Sequence, residues 1–117
     1  MKIAVVTGAG RGLGRCIAER LARRFDVIVT DIDAGAAEAT ARAIGGRAIA
    51  QDVRDPDSHR AVAAAAGSAL SVWVNNAGVL AVGDSWQMSD ADARRMVEVN
   101  LLGVIWGCHA ADRKRHV

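Results

Sequence analysis

The sequence has no tyrosine, one phenylalanine, one proline and two cysteines in 117 residues. Aromatic residues make up only 3% of it and the net charge is only +2. Both argue against a nucleic-acid partner, which needs concentrated basic charge with aromatic stacking platforms. Long apolar runs are also lacking. Charged residues interrupt every stretch well short of membrane-spanning length, so no membrane partner is expected. The apolar run after Met1 and Lys2 is too short for a secretory signal and leads straight into glycines. Cys16 and Cys108 lie far apart and read as reduced thiols rather than a disulfide or metal pair, which makes the cytoplasm the expected compartment. His59, His109 and His116 have no ligand-like spacing with cysteines or acids, so no metal site is expected.

What is present is apolar and alternating. Hydrophobic residues account for 51% of the chain and charged ones for 24%, the balance of one globular domain with a real core. Ile3-Ala4-Val5-Val6 is short, β-branched and stopped by glycines, as a doubly buried strand would be. A helix is predicted from Gly12 to Arg24, with Leu13, Ile17, Ala18 and Leu21 on one face. Val27-Ile28-Val29-Thr30 is a second strand ending at Asp31, and Ala34 to Ile44 a second helix stopped by Gly45-Gly46. Ala48-Ile49-Ala50 is a weaker third strand. Asp55 and Pro56 open a helix that runs to Gly67, and Val72-Trp73-Val74 is a fourth strand. Ser89, with Asp92 three residues on, begins a long helix with Met96, Val97, Leu101, Val104 and Ile105 as its apolar face. Strict alternation of this kind implies a Rossmann-type α/β fold: a doubly wound parallel sheet of about four strands, order 3-2-1-4, with helices on both faces.

Between the first strand and helix lies Thr7-Gly8-Ala9-Gly10-Arg11-Gly12-Leu13-Gly14. Glycines there permit a tight turn and close approach of a pyrophosphate, and the helix start offers unpaired N–H groups and partial positive charge. The spacing fits neither G-x-G-x-x-G nor the P-loop pattern. It does fit T-G-x-x-x-G-x-G, through Gly8, Gly12 and Gly14. With that motif, with Asp31, with Asp52-Val53 after the third strand, with Asn75-Asn76-Ala77-Gly78 after the fourth, and with Asn100 inside the long helix, the chain resembles the amino-terminal half of the short-chain dehydrogenase/reductase family.

The resemblance implies a nicotinamide dinucleotide as cofactor and hydride transfer to or from an alcohol or carbonyl substrate. It assigns Gly8, Arg11, Gly12, Leu13 and Gly14 to the pyrophosphate turn, and Asp31 to the adenosine ribose. Asp52 and the Val53 N–H fall to adenine, and Asn76, Ala77 and Gly78 to the adenosine side. Asn100 matches the Asn of the family's catalytic tetrad, which bends its helix and holds a water. A carboxylate at Asp31 would accept from both ribose hydroxyls and repel a 2′-phosphate, favouring NAD. Arg11 pulls the other way, since a basic residue there favours NADP in some relatives. Asp31 outranks it because it would sit directly against the ribose.

The family's general acid is a Tyr, its pKa lowered by a Lys four residues on, with a Ser holding the substrate oxygen. This sequence has no Tyr, and its lysines are Lys2 and Lys114. The chain is therefore expected to stop near the start of a fifth strand, around Arg115-His116-Val117, and to be inactive alone. An open edge at the fourth strand, or the long fourth helix, is expected to promote self-association. The alternative is a non-catalytic dinucleotide-binding or protein-interaction module. Nothing in Val79 to Met88 names a substrate.

Overall fold

Side chains branched at Cβ pack well on a pleated surface covered on both sides, and the β-branched runs of this sequence form its strands. The computed structural model describes residues 1–115. Four parallel strands, β1 (Ile3–Val6), β2 (Asp26–Asp31), β3 (Arg47–Ala50) and β4 (Leu70–Val74), lie in the order β3-β2-β1-β4, as the alternation of elements implied. His116 and Val117, where a fifth strand was expected to begin, lie outside the described residues.

Successive residues of a strand point to opposite faces, and the two cores divide accordingly. Ala4, Val6, Val27 and Val29 point to one face, beneath α1 (Gly12–Leu21) and α2 (Ala34–Ile44), where Ala18, Ala37 and Ala41 meet them. Val5 and Ile28 point to the other, where Val62 and Ala66 of α3 (Pro56–Ala66) cover them. Ala4, Val5 and Val6 are wholly buried, so the central strand fixes the register of everything around it.

The helix starts are capped as their residue types dictate. The Asp33 carboxylate accepts from the Ala36 N–H at 3.0 Å, Asp55 from the Asp57 N–H at 3.0 Å, and the Ser89 hydroxyl oxygen from the Asp92 N–H at 3.1 Å. Each cap contributes about 1 kcal/mol. α2 ends at Gly45 in the left-handed conformation, the geometry expected of its paired glycines.

Expectations for two of the helices are corrected. The first helix ends at Leu21 rather than Arg24, because Arg23 and Arg24 donate three residues back and tighten into turns. Leu13 is 70% exposed, so it is not part of that helix's core face. The long helix is three pieces: α4 (Asp90–Val97), a π-helical segment (Glu98–Leu102) and α5 (Gly103–Arg115). Its buried side is Val99, Gly103, Gly107 and Ala110, whereas Val97 and Leu101 are half exposed. Small residues win that face because the helix approaches closely. A Cβ on Gly103 would lie 3.2 Å from Val53, and one on Gly107 would overlap the Asn75 side chain.

Candidate functional site

All four strands point their carboxyl ends to one edge of the sheet, so the loops that follow them converge there. Thr7, at the end of β1, stitches the first of these to the last. Its hydroxyl oxygen accepts from the N–H groups of Asn76 and Ala77 at 3.0 and 3.1 Å. The Asn76 amide donates to the Gly8 carbonyl at 3.1 Å. This crossing is tight enough to exclude side chains. A Cβ on Gly14 would lie 2.4 Å from both Asn76 Nδ2 and the Gly8 oxygen, and one on Gly8, at φ +63°, 2.7 Å from Ala77 Cα.

Asp31, at the tip of β2, is bonded to the glycine turn itself. Its Oδ2 accepts from the Gly10 N–H and its Oδ1 from the Asp33 N–H, each at 3.0 Å. The carboxylate is thus fixed in orientation with lone pairs left over, at the mouth of a cleft of about 350 Å³. Gly8, Arg11, Asp31, Asp52, Val53, Asn76, Ala77 and Gly78 all line that cleft. Gly12, Leu13, Gly14 and Asn100 do not. Gly12 turns the chain into α1 at φ +60°, with open space where a side chain would go, and Gly14 is a packing residue.

The residues present fit a dinucleotide. The first turn of α1 carries no acidic residue and its N-cap, Arg11, makes no side-chain cap bond, so the N–H groups that a helix start leaves unpaired remain open to an anion. Arg11 instead reaches Asp33, 2.7 Å away. The Asp33 carboxyl is held below the usual carboxylate range by the Ala36 N–H first and by Arg11 after it.

Asp52 sits in a bidentate pair with Arg54, at 3.0 Å (Nε–Oδ1) and 2.7 Å (Nη2–Oδ2), and this guanidinium holds the Asp52 carboxyl low. Asn100 spends one amide N–H and one oxygen lone pair on a backbone clip. It donates to the Val79 carbonyl at 2.7 Å and accepts from the Val79 N–H at 2.8 Å, clipping the loop after β4 to the π-helical segment. Asn100 lies inside the π-helical segment, a wide turn of the kind often found at functional sites. Asn75 accepts from the Trp73 indole N–H at 2.9 Å and braces the strand end from behind.

Several cleft residues escape a sequence reading. Ile32 is 69% exposed and lines the cleft directly beside Asp31. A large apolar residue at a strand tip was the available signal. Arg54 adjoins Asp52-Val53 and could have been found by adjacency. Arg95 and Val99, from the long helix, line the far wall. Their sequence context shows only one charged and one apolar helix residue. Among the described residues no three metal-ligating side chains converge, and no helix is long and apolar enough to cross a membrane.

Comparison with known proteins agrees with this geometry. The family model for short chain dehydrogenases matches residues 2–114. An uncharacterised oxidoreductase of Methylorubrum extorquens is 36% identical over 96% of this chain and 49% of its own. A Brucella melitensis 3-ketoacyl-(acyl-carrier-protein) reductase crystallised with NADH superposes with a TM-score of 0.90 at 31% identity, over 97% of this chain and 50% of that one. A Burkholderia phymatum short chain dehydrogenase/reductase in complex with NAD gives 0.86 at 36% identity, over 97% and 43%. The chain spans about half the length of the relatives it matches. A match over residues 2–114, from the first strand into the last helix, means that this chain belongs to the short-chain dehydrogenase family.

Proposed function

We propose that the chain is one dinucleotide-binding domain, the NAD-holding half of an oxidoreductase that moves hydride between nicotinamide and an alcohol or carbonyl carbon. The observation that carries this is the Asp31 carboxylate, bonded to the glycine turn and open to the cleft. Such a group accepts from two ribose hydroxyls and, among the described residues, pairs with no cation of its own. Arg11 and Arg54, cations of the kind that draw a 2′-phosphate, are already paired with Asp33 and Asp52, and that favours NAD over NADP. The open N–H groups of α1 take the pyrophosphate, Asp52 and the Val53 N–H take adenine, and Asn76 to Gly78 shape the ribose side. The bound cofactor supplies or accepts the hydride. With no Tyr in the sequence, no phenolic acid is available at a substrate oxygen, so this chain by itself turns over no alcohol. Two exposed free cysteines suit a reducing compartment, the cytoplasm.

Calorimetry tests the reading. NAD should bind more tightly than NADP, and Asp31→Ala should weaken NAD by ~10-fold or more, the worth of about 1.5–3 kcal/mol for hydrogen bonds to a charged acceptor. The same variant should narrow the gap between the two dinucleotides, by removing the repulsion. An Asp31→Ala protein that binds NAD as well as the parent would sink the assignment.

A second reading has one observation behind it. Among the described strands β4 pairs only with β1, so its outer edge presents free backbone groups. A module that recruits another chain through this edge would look the same.

A further inference from the structure

His59 lies behind the cleft without lining it. It is a polar side chain with 0% exposure, in the first turns of α3. Its Nε2 is 2.7 Å from the Val53 carbonyl oxygen and its Nδ1 is 3.1 Å from Gln51 Nε2. A carbonyl can only accept, so the ring proton is on Nε2, and the bare Nδ1 accepts from the Gln51 amide. The amide orientation is fixed by Ser58, whose hydroxyl hydrogen goes to the Asp52 or Asp55 carbonyl and whose oxygen accepts from Gln51 Nε2 at 3.3 Å, which leaves Gln51 Oε1 to accept from the Thr30 hydroxyl at 2.6 Å. Thr30 immediately precedes Asp31. One buried chain of hydrogen bonds therefore runs from the tip of β2 to the segment Gln51–Arg54 that walls the cleft. From the other side, Gly103 closes on the same carbonyl, with room for no more than 3.2 Å between a Cβ and the Val53 oxygen.

We propose that His59 is a positioning residue for the dinucleotide site, whose neutral ring holds the Gln51–Arg54 wall in its binding shape and makes ligand affinity fall in acid without touching the ligand. The proposal rests on the cofactor reading above. Protonation would put a second N–H against the Gln51 NH₂, donor against donor. Gln51 can answer only by turning its amide over, which sets its oxygen against the Ser58 oxygen, whose hydrogen is already given to a backbone carbonyl. The charge would also be unsolvated, and burial accordingly pushes the imidazole below its ordinary 6.5, against the smaller opposite pulls of the Val53 carbonyl and Asp55.

The charged groups around it are few. Asp55 caps its own helix, and the Asp52–Arg54 pair flanks Val53. β4 offers Trp73, its ring centre 6.2 Å away, and β2 offers Thr30 through Gln51. β1 has no titratable side chain between Ile3 and Val6, and Cys108 and His109 of α5 are exposed to solvent. A folded pKa held below the unfolded one means the clamp is intact above that value and is lost as pH falls through it.

The test uses the whole chain, with NAD binding by calorimetry and amide hydrogen exchange of residues 51–54 without ligand, from about pH 7.5 to about pH 5. Wild-type affinity should fall ~10-fold across that range, and exchange at Gln51–Arg54 should quicken in step with the His59 ring shifts. His59→Gln keeps a donor where Nε2 stood and cannot titrate. It should hold the neutral-pH affinity within ~threefold and give a flat profile. His59→Leu, which takes the donor from the Val53 oxygen and one of two acceptors from the Gln51 NH₂, should bind ~10-fold more weakly at every pH. A His59→Gln profile as steep as the parent's overturns the proposal, and so does exchange at 51–54 that ignores the ring. Exchange that follows the ring in a chain that binds no NAD at any pH upholds the clamp and overturns the cofactor reading instead.

Discussion

At the scale of single residues, the site depends on side chains that are missing as much as on those present. Gly14 is the sharpest case. It touches no part of the cleft, yet any Cβ there would strike the Asn76 amide and the Gly8 carbonyl at 2.4 Å, and neither is the loose end of a flexible chain. Gly14→Ala should therefore destabilise the fold by about 1–3 kcal/mol, the range for forcing an extra carbon into a packed contact. It should also weaken NAD binding, because the glycine turn must move. Urea unfolding and calorimetry on the same samples would check both, and an unchanged midpoint would show that the turn is softer than its geometry. Adjacency in sequence made the turn readable here. The reason for each glycine was not readable, because Gly14 answers to Asn76, 62 positions away, while Gly12 answers to its own φ of +60°.

At the scale of elements, the long helix is where expectation and structure part. Its large apolar residues suggested the buried face, but the helix packs through Val99, Gly103, Gly107 and Ala110 and leaves Val97 and Leu101 half exposed. Periodicity ranks positions by hydrophobicity, whereas close approach ranks them by size, and here size decides. The π-helical segment adds a residue to the turn and shifts the faces on either side of it. Asn100 sits within that segment and ties it to Val79 by two hydrogen bonds. Asn100→Ala should cost about 1–3 kcal/mol, since both Val79 groups lose a partner, and it should speed amide exchange at Val79 more than at β1. Equal protection at Val79 in the variant and the parent would mean that the clip is not what holds the loop. Sequence reasoning placed Asn100 by its match to the family pattern. It could not identify the partner.

At the scale of the whole molecule, a four-stranded sheet ends on one side at β4, which is neither short nor charged. Leu80, Val82 and Trp86, in the loop that follows, are 79–89% exposed. Edges and apolar patches of this kind are what proteins ordinarily cover, and the relatives this chain matches are about twice its length. Sedimentation velocity over a wide concentration range should therefore show self-association of the isolated chain. One monomeric species at every concentration would show that the edge protects itself. NAD should shift any such equilibrium only through the fold's stability, because the cleft lies among the loops at the strand tips and not along the β4 edge.

The sequence by itself determined the order of strands and helices, the position of the glycine turn, and the acid at the tip of β2. These are local patterns: alternation, spacing, and turn residues beside apolar runs. The tertiary structure alone decided that Arg54 occupies Asp52, that Asp33 occupies Arg11, that Asn100 holds Val79, and that a buried histidine stands behind Val53. Even the pairs that lie close in the chain depend on which way a side chain turns once its loop is fixed. The others join residues 20 or more positions apart, and only the packed register of sheet and helices brings such groups within hydrogen-bonding distance.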